Sequence, residues 1–93
     1  MLSAPLTIRF ATPFDAQAVA TLAELDSSRA PRGGVLVAYV GDELWAALSV
    51  DDGHVVADPL RPSAEAVEVL QERRRQLRRA RRPRAHRPRL AWA

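Results

Sequence analysis

The sequence contains no cysteine and no lysine, and aromatic residues make up only 5% of its 93 residues. Without cysteine the chain can form neither a disulfide nor a thiolate zinc site, which suits a reducing compartment, so we expect a cytoplasmic protein. The longest apolar stretch, VLVAYVGDELWAALSV, is interrupted by Gly41, Asp42 and Glu43. We therefore expect no membrane-spanning helix. The length of the chain corresponds to one small domain with a modest apolar core.

Charge is distributed very unevenly along the chain. Residues 1–72 contain all eleven acidic residues and four arginines, a net charge of −7, whereas residues 73–93 contain ten arginines and no acid, a net charge of +10. Every cationic side chain other than histidine is therefore arginine. This division predicts a folded domain over residues 1–82 and an arginine-rich, disordered tail over residues 83–93.

The N-terminal segment has the pattern of a strand followed by a helix. LTIRF alternates apolar and polar residues, which is typical of a strand with one face in water. In the next segment Thr12 can cap a helix, Pro13 suits the first helical position, and Asp15 favours the helix dipole. We expect one apolar stripe of this helix to pack on a sheet: Phe14, Ala18, Val19, Leu22 and Leu25.

The remainder predicts three strands and a second helix. VLVAYV is apolar on both faces, so it should be a central strand, and Gly41-Asp42 is a two-residue hairpin turn into ELWAALSV. DDGH is a second turn, with Gly53 at the positive-φ position, leading to the short strand VVA. The last helix should run from Ser63 to about Arg82. The predicted fold is a small α/β (α+β) domain with a four-stranded, mainly antiparallel sheet and two main helices.

The order of these elements resembles the N-terminal half of the GNAT acyl-CoA N-acyltransferase superfamily, and so do the amino-acid sequences of three segments. IRFATPFDAQAVATLAELD is similar to the first strand and helix of that family, where an IR.AT..D opening is common. VLVAYVGDELWAALSV is similar to the family's hairpin phrase VAEVDGxxVGxxxL. VVADPLRPSAEAVEVL stands where the family has its fourth strand and acyl-CoA loop. The resemblance covers about residues 6–77.

The resemblance implies a degenerate acyl-CoA loop. The family's diphosphate motif is R/Q-x-x-G-x-G/A, and here Arg61 stands at the first position, Ala64 replaces the central glycine, and Ala66 satisfies the last. Such a loop works by bringing bare backbone N–H groups onto a diphosphate at a helix N-terminus. The Ala64 methyl group crowds that approach, and Pro62 has no N–H to offer.

Two neighbouring residues favour a structural interpretation of the same loop. Glu65 places a negative charge where the diphosphate would lie, and Ser63 is typical of an ordinary helix N-cap. The candidates for contact with a cofactor are Arg61, Ser63, Ala64 and Ala66. We nevertheless expect that the chain binds no cofactor, and the binding of acetyl-CoA is disfavoured.

The resemblance also implies an incomplete catalytic unit. The second half of the family fold supplies further strands, part of the substrate groove and usually the general acid, and we expect nothing after residue 82 to form them. We therefore assign no catalytic residue and expect a partial GNAT-like domain that acts by protein association. Two alternatives stay open: an acyl-CoA-dependent N-acetyltransferase completed by dimerisation or by a partner, and an arginine-tailed, non-specific nucleic-acid binder.

Two other clusters have simpler interpretations than a site. Asp51, Asp52 and His54 are close in sequence, but they belong to a hairpin turn and no second cluster completes a metal site. Ser49, His54 and Asp58 contain the residue types of a catalytic triad without a nucleophile elbow. We predict neither metal binding nor triad chemistry, and we expect Trp45 to pack on the sheet.

The arginine-rich end and one strand edge are the candidate partner surfaces. Five arginines near the end of the chain could contact the phosphate groups of nucleic acid without recognising its base sequence: Arg78, Arg79, Arg81, Arg82 and Arg84. No aromatic interleaving or reader motif accompanies them. If HVVA is left as an unpaired edge, two copies could pair there and form a homodimer.

Overall fold

The computed structural model describes residues 5–80, which form a four-stranded antiparallel sheet with one helix on each face. The strands are β1 (Leu6–Phe10), β2 (Val35–Val40), β3 (Glu43–Ser49) and β4 (Val55–Ala57), and the helices are α1 (Ala16–Leu25) and α2 (Ala64–Ala80). The strands lie side by side in the order β1-β2-β3-β4, and each neighbouring pair is antiparallel. The predicted fold class is confirmed. The predicted tail, residues 83–93, lies outside the described residues.

Strands β2, β3 and β4 are joined by two consecutive hairpins, and in each turn a glycine occupies a position with left-handed backbone. Gly41 has φ +62° in the two-residue turn between Val40 and Glu43, which pair directly across the hairpin. Gly53 has φ +80° in the turn between β3 and β4. Both turns are where the sequence predicts them, because only glycine adopts such φ values without steric cost.

Each face of the sheet is covered by one helix. On one face, Leu36 and Leu48 pack with Leu70 of α2, and on the other face Val37 packs with Leu22 of α1. All five side chains are almost completely buried. The central strand β2 is therefore apolar on both sides, as its unbroken run of apolar residues predicts.

The first turn before α1 departs from the predicted helix. Thr12 caps a short 3-10 turn, Pro13–Asp15, and the α-helix begins only at Ala16. A 3-10 turn has three residues per turn, whereas an α-helix has 3.6, so the side chains of Pro13–Asp15 do not continue the apolar stripe of α1. The sequence predicts that Phe14 and Leu25 pack on the sheet, but Phe14 is 97% exposed and Leu25 is also exposed, so this part of the prediction is wrong. Val19 and Leu22 are buried as predicted, together with Ala23.

The pairing of β2 with β3 is interrupted by a β-bulge near the beginning of β3. Ala46 pairs with Ala38 and Leu44 pairs with Tyr39, which leaves Trp45 as the extra residue of β3. The Trp45 carbonyl accepts a hydrogen bond from the Asp58 N–H at 2.9 Å. The bulge thus joins the beginning of β3 to the segment between β4 and α2.

Candidate ligand loop between β4 and α2

The segment Asp58–Ser63 joins β4 to α2 and is organised by hydrogen bonds within itself. Asp58 Oδ1 accepts the Leu60 N–H at 2.8 Å, and the Asp58 carbonyl accepts the Arg61 N–H at 3.3 Å. The Ser63 N–H donates to the Arg61 carbonyl at 2.8 Å. The two remaining residues of the segment, Pro59 and Pro62, carry no N–H. The amides of Leu60, Arg61 and Ser63 are therefore engaged within the segment.

The Arg61 side chain is held by two carboxylates and an aromatic ring. Its Nη1 and Nη2 lie 2.7 and 2.9 Å from the two carboxylate oxygens of Glu43, a bidentate pair, and Nε lies 3.6 Å from Asp58 Oδ2. The guanidinium carbon lies 5.8 Å from the centre of the Trp45 ring. Trp45 is thus half-buried at the bulge and contacts Arg61. A phosphate would have to displace Glu43 to reach the fork of this guanidinium.

The other candidate cofactor residues have different surroundings from one another. The Ser63 hydroxyl donates to the Asp58 carbonyl at 3.1 Å and is buried, and the Ser63 carbonyl accepts the first α2 bond from the Val67 N–H. Ala66 is buried in the core against the sheet, whereas Ala64 is exposed. The four residues of the proposed motif therefore do not converge on one bound group.

An open groove of about 570 Å³ adjoins this loop, and its lining contains three acidic residues among apolar ones. It lies between the end of α1 and the start of α2, and its lining includes the carboxylates of Asp26, Asp58 and Glu68 together with Arg61. One of these, Asp26, accepts the Ala57 N–H through Oδ2 at 3.1 Å. The groove thus combines three acidic residues with one arginine that is already paired with Glu43, a balance of charge that does not favour a diphosphate.

The DDGH turn and its neighbours are joined by structural hydrogen bonds. Ser49 Oγ donates to the Arg32 carbonyl at 2.9 Å, and His54 Nε2 lies 2.9 Å from the Arg29 carbonyl and 3.2 Å from Ser28 Oγ. Asp58 faces Arg61 instead. The arrangement does not form a triad. Within residues 5–80, no cluster of three potential ligand side chains could hold a metal ion.

Asp52 has a role within the same turn. Its Oδ1 accepts the His54 N–H at 2.8 Å, and its Oδ2 lies 3.5 Å from Arg29. The His54 N–H is the main reason that the pKa of Asp52 lies below its ordinary value, and Arg29 adds to the effect. This carboxylate therefore stabilises the turn in its ionised form.

The most extensively hydrogen-bonded side chain in the described part of the chain is Asp15, which the sequence indicated only as a first-turn acid. Its carboxylate accepts two bonds from Arg9, at 2.8 and 3.0 Å, and one from the Tyr39 hydroxyl at 2.8 Å. The Thr12 N–H and hydroxyl also donate to it, at 2.7 and 3.1 Å. Led by the Arg9 contact, these bonds hold the pKa of the buried Asp15 carboxyl well below its usual range.

This cluster gives a physical meaning to the IR.AT..D opening. Three of its letters, Arg9, Thr12 and Asp15, are joined into one network that fixes the end of β1 against the start of α1. Tyr39 of β2 completes it, with the Arg9 guanidinium 5.1 Å from the Tyr39 ring centre. Burial first, and then the hydrogen bond to Asp15, raises the pKa of Tyr39. The network is structural, since its polar atoms bond to one another.

The α1–β2 loop lies along the outer edge of β4. Asp26 accepts the outward-facing Ala57 N–H, and farther along the loop Ser28 and the Arg29 carbonyl contact the His54 side chain. The edge that HVVA presents is therefore partly covered by residues of the same chain. Such contacts are one way in which proteins protect an edge strand.

Only part of the candidate polyanion surface lies within the described residues. Arg78 and Arg79 are exposed near the end of α2, while Arg81, Arg82 and Arg84 are outside residues 5–80. Glu72 lies 2.7 Å from Arg75 and 3.9 Å from Arg79, and Arg75 is the main reason that its pKa is lowered. Arg74, which lies between the core-contacting residues Leu70 and Leu77 of α2, donates through Nε to the Val50 carbonyl at 2.8 Å.

Comparison of the chain with protein families, with curated proteins and with solved structures found no match. No helix within residues 5–80 is both long and apolar enough to cross a membrane. The fold and contacts described above are therefore the basis for a functional assignment.

Proposed function

We propose that this chain is a GNAT-like partial domain that acts by associating with protein and does not itself use acyl-CoA. The observation that supports this most directly is the state of Arg61. Its guanidinium is paired bidentately with Glu43, and the N–H groups of Leu60, Arg61 and Ser63 are bonded within the segment Asp58–Ser63. A diphosphate ligand needs both kinds of donor to be available.

Exposed apolar side chains support the associative half of the proposal. Leu6 and Phe10 of β1 are 39% and 50% exposed on the same face of the sheet, two positions to either side of Ile8. Single exposed apolar residues are ordinary, but neighbouring ones are typical of surfaces that contact another protein.

Calorimetric titration with acetyl-CoA distinguishes this proposal from an acyltransferase completed by a partner. We expect no binding at ligand concentrations up to about 1 mM, a limit that corresponds to a binding free energy of about −4 kcal/mol. The Arg61→Ala variant should give the same flat titration, and Arg32→Ala, which removes an exposed arginine from the α1–β2 loop, is its matched control.

The opposite pattern would overturn the proposal. If the wild-type chain binds acetyl-CoA at micromolar concentration, and only Arg61→Ala weakens that binding by tenfold or more, then the loop is a working cofactor site. The acyltransferase alternative would then replace the associative function.

A further inference from the structure

Within the described residues, the outer edge of β1 has no neighbouring strand and presents backbone groups at regular intervals. The Ala11 N–H donates to the Val35 carbonyl at 2.7 Å, and the Gly41 N–H donates to the Pro5 carbonyl at 3.2 Å. In an antiparallel ladder alternate residues face the partner strand, so positions 5, 7, 9 and 11 of β1 face β2. It follows that Leu6, Ile8 and Phe10 direct their N–H and C=O groups away from the sheet.

The side chains of these three residues form an apolar row. Ile8 packs against the α2-side core, and because strand side chains alternate, Leu6 and Phe10 lie on that same face. Leu6 is 39% exposed and Phe10 is 50% exposed. Leu6 and Phe10 are placed symmetrically about Ile8, so the row has nearly the same character when it is read in the opposite direction. Such a row can pair with itself.

We propose that two copies of this chain pair antiparallel through β1, with the two-fold axis at Ile8. This inference rests on the proposed associative function and names its partner as a second copy. In this register Ile8 faces Ile8 of the second copy, and Leu6 faces Phe10, each pair exchanging both N–H···O bonds. The result is one continuous sheet across the dimer, with an isologous interface.

The charges around the edge permit this pairing. On the opposite face of the sheet Thr7 lies across from Arg9 of the second copy, and the Arg9 charge is already compensated by Asp15. The Phe10 carbonyl accepts from Arg9 Nη1 at 3.1 Å, and its second lone pair remains for an intermolecular N–H. Within residues 6–10 there is no lysine, proline or acid, the residues that usually prevent edge pairing.

The alternative edge is less suited to a second copy. Asp26 already takes the outward N–H of Ala57, and the α1–β2 loop contacts His54 at the other end of β4. Pairing through β4 would require those contacts to break first. The observations thus favour β1 over the HVVA segment for self-association.

Light scattering over a concentration series tests the interface. Because the paired segment is short, we expect a dissociation constant of about 10–100 μM, so the mass should rise from 10.3 kDa towards twice that value over this range. The double variant Leu6→Lys/Phe10→Lys places like charges directly opposite each other and should weaken association by more than tenfold. Leu60→Lys, which removes an exposed leucine far from β1 in sequence, is the matched control and should dimerise like wild type.

A charge-pair variant tests the register itself. In the proposed pairing, Leu6→Lys/Phe10→Glu places opposite charges across both ends of the interface, so dimerisation should recover relative to the double-lysine variant. Circular dichroism on each variant checks that the fold is retained, since both positions are exposed. If the charge-pair variant is as monomeric as the double-lysine variant, the register is wrong.

Two outcomes would overturn the inference in different ways. A wild-type chain that stays at 10.3 kDa at several hundred micromolar does not pair through β1. A dimer that survives the double-lysine substitution associates through another surface, which leaves the associative function in place. Neither result bears on acetyl-CoA binding, so failure of this interface and failure of the proposed function are distinguishable.

Discussion

The guanidinium of Arg9 donates two hydrogen bonds to the buried carboxylate of Asp15, from Nη1 to Oδ2 at 2.8 Å and from Nη2 to Oδ1 at 3.0 Å. This bidentate pair joins β1 to the turn that starts α1. Because Asp15 is buried while Arg9 is half-exposed, the free energy of the pair depends mainly on keeping the carboxylate ionised and fully bonded.

Asp15→Asn should lower the free energy of unfolding by about 2–3 kcal/mol at pH 7, because a neutral amide cannot accept all the bonds that the carboxylate accepts. For a domain of this size that corresponds to a decrease in melting temperature of at least about 8 °C. Thermal unfolding followed by circular dichroism measures it. Glu24→Gln, an exposed substitution on α1, should leave the melting temperature within about 2 °C. Equal effects of the two substitutions would contradict the role given to Asp15.

Acid should destabilise the domain through the same residue. The pKa of Asp15 is lower in the folded chain than its unfolded value of about 4, so its contribution is complete above that value. The contribution decreases as the pH falls below about 4, since the unfolded chain then binds a proton that the folded chain does not. Urea midpoints measured between pH 6 and pH 2 should fall steeply for wild type and less steeply for Asp15→Asn. Parallel curves would show that other carboxylates dominate.

Tyr39 is the only tyrosine, so its ionisation can be followed by the ultraviolet absorbance of the phenolate. We expect a midpoint above the ordinary value of about 10, because burial and the hydrogen bond to Asp15 both favour the neutral phenol. The associated stability is present below pH 10 and is lost as the pH rises through the folded pKa. Asp15→Asn should move the midpoint part of the way back, while the contribution of burial remains. An unchanged midpoint would exclude coupling between the two groups.

Arg74 should stabilise the fold although it is a charged residue between Leu70 and Leu77, which contact the core. Its guanidinium bonds to the Val50 carbonyl and lies over Gly53, where a Cβ would come within 3.2 Å of it. Arg74→Met should cost about 1–2 kcal/mol, since a partly buried carbonyl loses a charged donor. Arg73→Met, an exposed neighbour on the same helix, is the matched control and should change stability by less than about 0.5 kcal/mol. Chemical denaturation compares them, and similar values for both would leave Arg74 without this role.

The arginine-rich end should show little affinity for nucleic acid at physiological salt. Arg75 and Arg79 are paired with Glu72, and residues 1–72 carry a net charge of −7 that can neutralise cationic side chains within or between molecules. Filter binding with random duplex DNA and single-stranded RNA should retain the wild type and the Arg84→Gln/Arg87→Gln/Arg89→Gln variant equally and negligibly. The opposite result would be a binding constant whose logarithm falls against the logarithm of the salt concentration with a slope near −5, and a less steep slope for the variant. That result would support about six phosphate contacts.

Local sequence patterns determined the elements of this domain. Alternation of apolar residues predicts β1, the two-sided apolar run predicts the central position of β2, and Gly41 and Gly53 mark turns because their φ values are positive. These features depend on backbone geometry and on the period of the side chains, which are properties of neighbouring residues. The Thr12 cap was predictable for the same reason.

The tertiary structure decided which polar side chains meet. Arg61 matches a ligand motif in the sequence, but its guanidinium is bound by Glu43, 18 residues away, which the bulge at Trp45 brings beside the loop. Likewise Tyr39 reaches Asp15 only because β1 and β2 pair. No local pattern encodes such contacts, because they depend on strand register and on which face each side chain occupies. The sequence determined where the chain bends; the packing determined that the candidate ligand arginine is already occupied.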